Sequence, residues 1–341
     1  MRLSSIAGVL LIGAATACSD GATAPTGQDS SLSPVSLAAA NSNSCQVPKG
    51  HPGGKIIDVL QGAAFPWAVA VRDDGLAYFT ELFNNRVGVT DTRNRTITGY
   101  IPTGSLPTGI AFSPDGTKAY TANQGDNTVT VLDVASGRLV GSISTGGSSP
   151  FSVQVSPDGA QIFSGNNDNT LSVIDAHTNQ VVKTVIVGFA TNAFAVDGSG
   201  RILYASSFVS GTVSEIDIFT GNVLRTFNIG GTTQGLALNK RGTRLFVANQ
   251  GGYLSEVDLL SGQIGTPIPL GGVAFGVGVT PDDHEAWITL PLDGKVQVFN
   301  LNSRRVTGTL AVGGEPRRVA FSGAGKIGAI TNTQGYITFV R

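Results

Sequence analysis

The residues able to do chemistry are few, and they recur at fixed offsets. One series enters successive extended segments: Trp67, Phe151, Asn192, Gln234, Phe275 and Arg317. A second series closes the segments that follow: Glu81, Asn123, Asn166, Asn249 and Asn332. Aromatic faces beside amides suit sugars, peptides or neutral small molecules, because rings cover apolar surface while amides both donate and accept. Acid–base catalysis would need a partner for Glu81. The three histidines are His51, His177 and His284, and their spacing puts none beside it. A calcium site would need several oxygens around one cation. Asn166-Asn167-Asp168-Asn169 offers oxygens but reads better as a turn. There is no nucleophile motif, phosphate-cradling glycine loop or cluster with metal-ligand spacing. No catalytic residue, metal or cofactor is therefore expected. The competing reading is structural: the aromatics plug a channel mouth and the asparagines cap turns.

The elements that must position these residues come from a repeat. GIAFSPDGTKAYTAN begins at Gly109, SVQVSPDGAQIFSGN at Ser152 and GLALNKRGTRLFVAN at Gly235. Weaker copies start at Ala68, Ala193, Gly276 and Arg318. The first large apolar residues, Val69, Ile110, Val153, Phe194, Leu236, Val277 and Val319, fall 41–43 residues apart. A period near forty built of short extended segments marks a propeller. Each copy reads as four strands, a to d. In the second copy they cover 108–113, 118–122, 128–133 and 139–144. Strand a alternates small and large residues, as in Gly109-Ile110-Ala111-Phe112. Blades converge near the axis, so one face must be small to admit its neighbour. Asp91, Asp133, Asp175, Asp217, Asp258 and Asn300 close strand c and read as turn caps.

The last copy lacks a fourth strand. GKIIDVLQ, at 54–61, has the pattern of strand d and precedes the first full copy. The expected fold is therefore all-β: a seven-bladed β-propeller of four-stranded antiparallel blades over 54–341, with the N-terminal strand closing the last blade. Closure removes two sheet edges that would otherwise template aggregation.

Residues 1–17 read as a signal peptide: Arg2, an apolar stretch at 6–12, then small residues. Ala15-Thr16-Ala17-Cys18 resembles the lipobox of bacterial lipoproteins. Residues 18–53 then form a flexible low-complexity tether carrying a lipidated Cys18, with Cys45 left as a lone thiol. Ser19 after that cysteine fits delivery to the outer membrane. The expected location is the cell envelope, in the periplasm or at the surface. Net charge is −1, from 22 basic and 23 acidic residues, so no field favours nucleic acid. A monomer is expected, touching membrane only through lipid on Cys18 and binding a protein, a glycan or a neutral small molecule.

Tyr120-Thr121-Ala122-Asn123, Phe246-Val247-Ala248-Asn249 and Ala329-Ile330-Thr331-Asn332, with the SPDG turns at Ser113 and Ser156, resemble the YVTN family of β-propeller repeats. The resemblance covers about 54–341. It implies the propeller fold and a spread of roles: surface-layer, adhesive and lactonase-like. Tyr78-Phe79-Thr80-Glu81 resembles a repeat of streptogramin-lyase-like propellers, whose chemistry needs a histidine. The favoured reading is a non-catalytic binding or scaffolding propeller. The alternative is a lactonase-like or lyase-like enzyme acting on a small neutral substrate.

Overall fold

Each repeat folds as a four-stranded antiparallel sheet. A computed structural model of the chain describes residues 54–188, 190–325 and 327–341. The expected signal peptide, the tether with Cys18 and Cys45, and His51 lie outside the described residues. Blade 2 shows the unit: strand a Pro107–Phe112, b Lys118–Asn123, c Thr128–Asp133 and d Arg138–Ser144. These agree with the sequence reading to within about one residue. Seven such sheets are present among the described residues.

The chain closes its own ring. Ile56–Gln61 pairs antiparallel with Tyr336–Val340, placing Val59 opposite Thr338 and Leu60 opposite Ile337. It becomes the outer strand of blade 7, whose other strands are Pro316–Phe321 and Gly328–Asn332. Lys55 and Arg341 exchange backbone hydrogen bonds at 2.8 and 2.9 Å.

The core sits between blades rather than within them. Tyr78 and Val87 of blade 1 pack on Ala119 and Leu132 of blade 2, and Phe339 and Ile337 of blade 7 pack on Val69 and Phe79 of blade 1. The same pattern fills the other five junctions. The small residues of strand a allow this approach. A Cβ added to Gly109 would lie 2.9 Å from the Val153 nitrogen, and one added to Gly235 would lie 2.7 Å from that of Val277.

Two departures from the ideal unit have local causes. The outer strand of blade 5 shrinks to Ile268–Pro269, because Pro267 and Pro269 cannot donate to a ladder. Short 3-10 turns at Leu82–Asn84 and Pro291–Asp293 replace ordinary b–c loops in blades 1 and 6. The c–d aspartates do cap turns. Asp133, for example, accepts from the Ser136 backbone at 2.8 Å and from its hydroxyl at 2.6 Å. Among the described residues no helix is long and apolar enough to cross a membrane.

Candidate functional site

Strand a begins on the face that carries the d–a and b–c connections, so its second residue reaches the ring's hub from that face. In blade order these residues are Trp67, Thr108, Phe151, Asn192, Gln234, Phe275 and Arg317. Strand b of the preceding blade holds several of them in place. The Thr331 hydroxyl donates to the Trp67 carbonyl, and the Thr289 hydroxyl to the Arg317 carbonyl, both at 2.8 Å. The Ser206 hydroxyl donates to the Gln234 carbonyl at 3.0 Å. The hydroxyl residue of the repeat is thus a stitch between blades, and it orients the hub.

Aromatic and cationic groups meet there. Trp67 stands edge-on to Phe151 and to Phe275, with ring centroids 6.1 and 5.8 Å away. The Arg317 guanidinium lies 5.0 Å from the Trp67 ring and 5.1 Å from Phe275; that of Arg318 lies 5.0 Å from Phe275. Each such contact is worth about 0.5–2 kcal/mol, the more so as water is excluded. Arg318 Nη2 donates to the Asn192 carbonyl at 3.3 Å, and the Asn192 amide donates to Gln234 Oε1 at 2.9 Å. Arg317 pairs with Glu315 at 2.8 Å. Phe65, Leu82 and Leu106 pack around this cluster, and Phe83, 53% exposed, extends the aromatic surface outward from Phe65.

The electrostatics are lopsided. Burial lowers the Arg318 pKa to about 10, and the neighbouring Arg317 charge pushes the same way. Burial also lowers Arg317, opposed by Glu315. Both guanidiniums stay charged at neutral pH, against one carboxylate. Two donor groups here have buried side-chain atoms without a partner: Trp67 Nε1 and Arg317 Nε. A buried donor without an acceptor costs about 1–3 kcal/mol.

The second series lies elsewhere. Glu81 is fully buried and accepts from the Ala64 backbone, the Asn84 amide and Arg86 Nε. The Asn123 amide donates to Thr128 and Thr130, and that of Asn166 to Thr170 and Ser172. The Asn249 amide donates to the Gly230 carbonyl. Asn332 donates to the Gly313 carbonyl and accepts from the Glu315 backbone. Glu81, Asn249 and Asn332 thus tie d–a loops to b–c loops, whereas Asn123 and Asn166 tie the end of strand b to strand c of their own blades. Of this series only Asn332 bears on the hub, through Glu315. Glu315 was missed as a site residue, and Arg318 was seen only as the neighbour of Arg317 and not counted among the binding candidates. Arg318 had a visible signal: the other six repeats carry Gly, Ala or Ser at its position.

Two clefts open on the opposite face. One, about 780 Å³, is lined by Asp73, Arg93, Arg95 and Arg341 among others; the second, about 500 Å³, includes His284 and Trp287. Their charges are largely answered within the protein, as in Arg93–Asp91, Arg95–Asp58 and His284–Asp282. Arg95 Nε in the first cleft also lacks a partner, but only the hub joins unpartnered donors to a guanidinium, that of Arg318, with no carboxylate beside it among the described residues, so chemistry favours the hub. Among the described residues no cluster of His, Cys, Asp or Glu could hold a metal.

Residues 85–185 match the family model described as Lactonase, 7-bladed beta-propeller. That stretch is lactonase-like. It runs from the third strand of blade 1 through blade 3 and leaves out the blade 7 residues Glu315, Arg317 and Arg318. No curated protein matches the chain. Among solved structures, hydrazine synthase of Kuenenia stuttgartiensis superposes with a TM-score of 0.76 at 18% identity, covering 82% of this chain and 96% of that one. At this identity the likeness establishes the fold and not the activity.

Proposed function

We propose that the protein is a non-catalytic binding module that captures its ligand at the hub, on the face of the d–a and b–c loops. The supporting observation is the buried Trp67 Nε1, turned into an aromatic and cationic cluster with nothing to receive its hydrogen. Neither guanidinium can act as a base near neutral pH, since an arginine side chain keeps its proton in proteins. Glu315 is occupied by Arg317 and by the Thr333 hydroxyl. Groups that bind are present, and a paired acid and base is not assembled among them. Export and lipidation at Cys18 belong to the same proposal and would hold the propeller at the envelope. Replacing Cys18 by Ser should then move the protein from the membrane fraction to the soluble one.

The test is a thermal-shift screen of metabolites, glycans and lactones against the whole chain. Hits should vanish with Trp67→Ala and persist with Glu81→Gln, whose side chain serves loop architecture. Hits that survive Trp67→Ala would move the site away from the hub. The family match over 85–185 favours a second reading, a lactonase. Lactone turnover abolished by Arg317→Gln would replace the binding proposal with that one.

A further inference from the structure

We infer that the hub takes an organic monocarboxylate with a flat apolar body, the carboxylate seated on Arg318 and Arg317 and the body against Trp67 and Phe275. The inference rests on the hub being the binding site and narrows what it binds. It departs from the neutral ligand expected from the sequence.

The first argument is positional. The third residue of strand a is Ala68, Gly109, Ser152, Ala193, Gly235 or Gly276 in six blades, and Arg318 in the seventh. At Gly276 even a Cβ would lie 2.5 Å from the Arg317 carbonyl oxygen. A position this crowded elsewhere carries the longest cationic side chain here. Arg318 then reaches the blade on the far side of the hub.

The second argument is charge. Two guanidiniums share the hub with one carboxylate, and that carboxylate is engaged by Arg317. Among the described residues no acid lies within ion-pair distance of Arg318. Its contact with the Asn192 carbonyl, at 3.3 Å, is longer than the roughly 2.7–2.9 Å of a charge-assisted bond. A half-buried cation lacking a counterion is disfavoured, and an incoming anion relieves that cost. One unit of charge is left over, so a monoanion balances it and a dianion overshoots.

The third argument is shape. A guanidinium fork matches the two oxygens of a carboxylate. Trp67 Nε1–H and Arg317 Nε–H supply further donors that currently have no acceptor. Phe275, flanked by both guanidiniums, and Trp67 offer walls for an apolar body.

The decisive experiment uses the full chain and a matched pair of probes, phenylacetate and phenylacetamide, by isothermal titration and thermal shift. The acid should bind at least about tenfold more tightly than its amide, because only the acid answers the charge. Arg318→Gln should erase the preference while melting no lower than the parent without ligand. Equal binding of acid and amide would overturn the anion and leave the hub as a neutral aromatic site. Tighter binding of inorganic phosphate than of phenylacetate, or no binding of phenylacetate, would also overturn it. In those cases the hub itself is still judged by the Trp67→Ala screen. The comparison of acid with amide needs no variant, so it decides even if Arg318→Gln does not fold.

Discussion

Arg318 of blade 7 donates to the main-chain carbonyl of Asn192 in blade 4, a contact between residues 126 apart in sequence that spans the hub. The acceptor is backbone, so the strut does not depend on the side chain at 192. That side chain has its own partner in Gln234.

Asn192→Ala should therefore leave the Arg318 contact in place. It removes the amide pair with Gln234 and should cost about 0.5–1.5 kcal/mol, measured by chemical unfolding. A much larger loss would mean that Arg318 leans on the Asn192 side chain.

Glu81→Gln should destabilise the protein by about 1.5–3 kcal/mol, because it replaces a buried carboxylate that accepts from Arg86, itself a third exposed, by a neutral amide. The lost charge also weakens its hold on the Ala64 amide. Ligand affinity at the hub should stay close to that of the parent.

Gly235→Ala should cost about 1–3 kcal/mol, since its methyl would press on the backbone of blade 6. Gly99→Ala meets nothing within 4 Å and should stabilise slightly, by about 0.4–1 kcal/mol. Paired urea titrations separate the two. Equal effects would show that blade spacing does not depend on the small face of strand a.

Asp91, Asp133, Asp175, Asp217 and Asp258 all have pKa values lowered on folding, chiefly by side-chain or backbone hydrogen bonds from their turns. A lowered folded pKa stabilises the protein fully above the unfolded value, about 4. That contribution fades as pH falls through the lower folded values. Thermal stability should thus be flat near neutrality and fall below about pH 4. Asp133→Asn should make the acid slope shallower, as read by melting temperature against pH.

A chain beginning after Gly62 lacks the outer strand of blade 7 and bares Ile337 and Phe339, both fully buried in the intact ring. Its melting temperature should drop by on the order of 10 °C, with loss of a single cooperative transition. An unchanged melt would show that the ring does not need its clasp.

Much of this was legible in the repeat. The 41–43-residue spacing counts blades, the SPDG turns and the aspartates closing strand c mark the strand ends, and GKIIDVLQ shows where the missing strand comes from. These signals are local, and local rules of alternation and turn chemistry read them. The two polar series looked alike from sequence, as each recurs once per blade. In space they part. Glu81 and the asparagines turn into the blades and bind loops or the neighbouring strand c, whereas Trp67, Phe151, Phe275 and Arg317 converge on the hub.

The sequence alone determined the all-β architecture, the blade number and the closing strand, because each is written in neighbouring residues and their period. Only the tertiary structure decided that Arg318 reaches blade 4, that its charge finds no carboxylate there, and that Trp67 Nε1 is left without an acceptor. Those facts depend on which side chains the closed ring brings together across its centre. Residues more than a hundred positions apart meet there, and no local pattern encodes their distance or their unpaired charge.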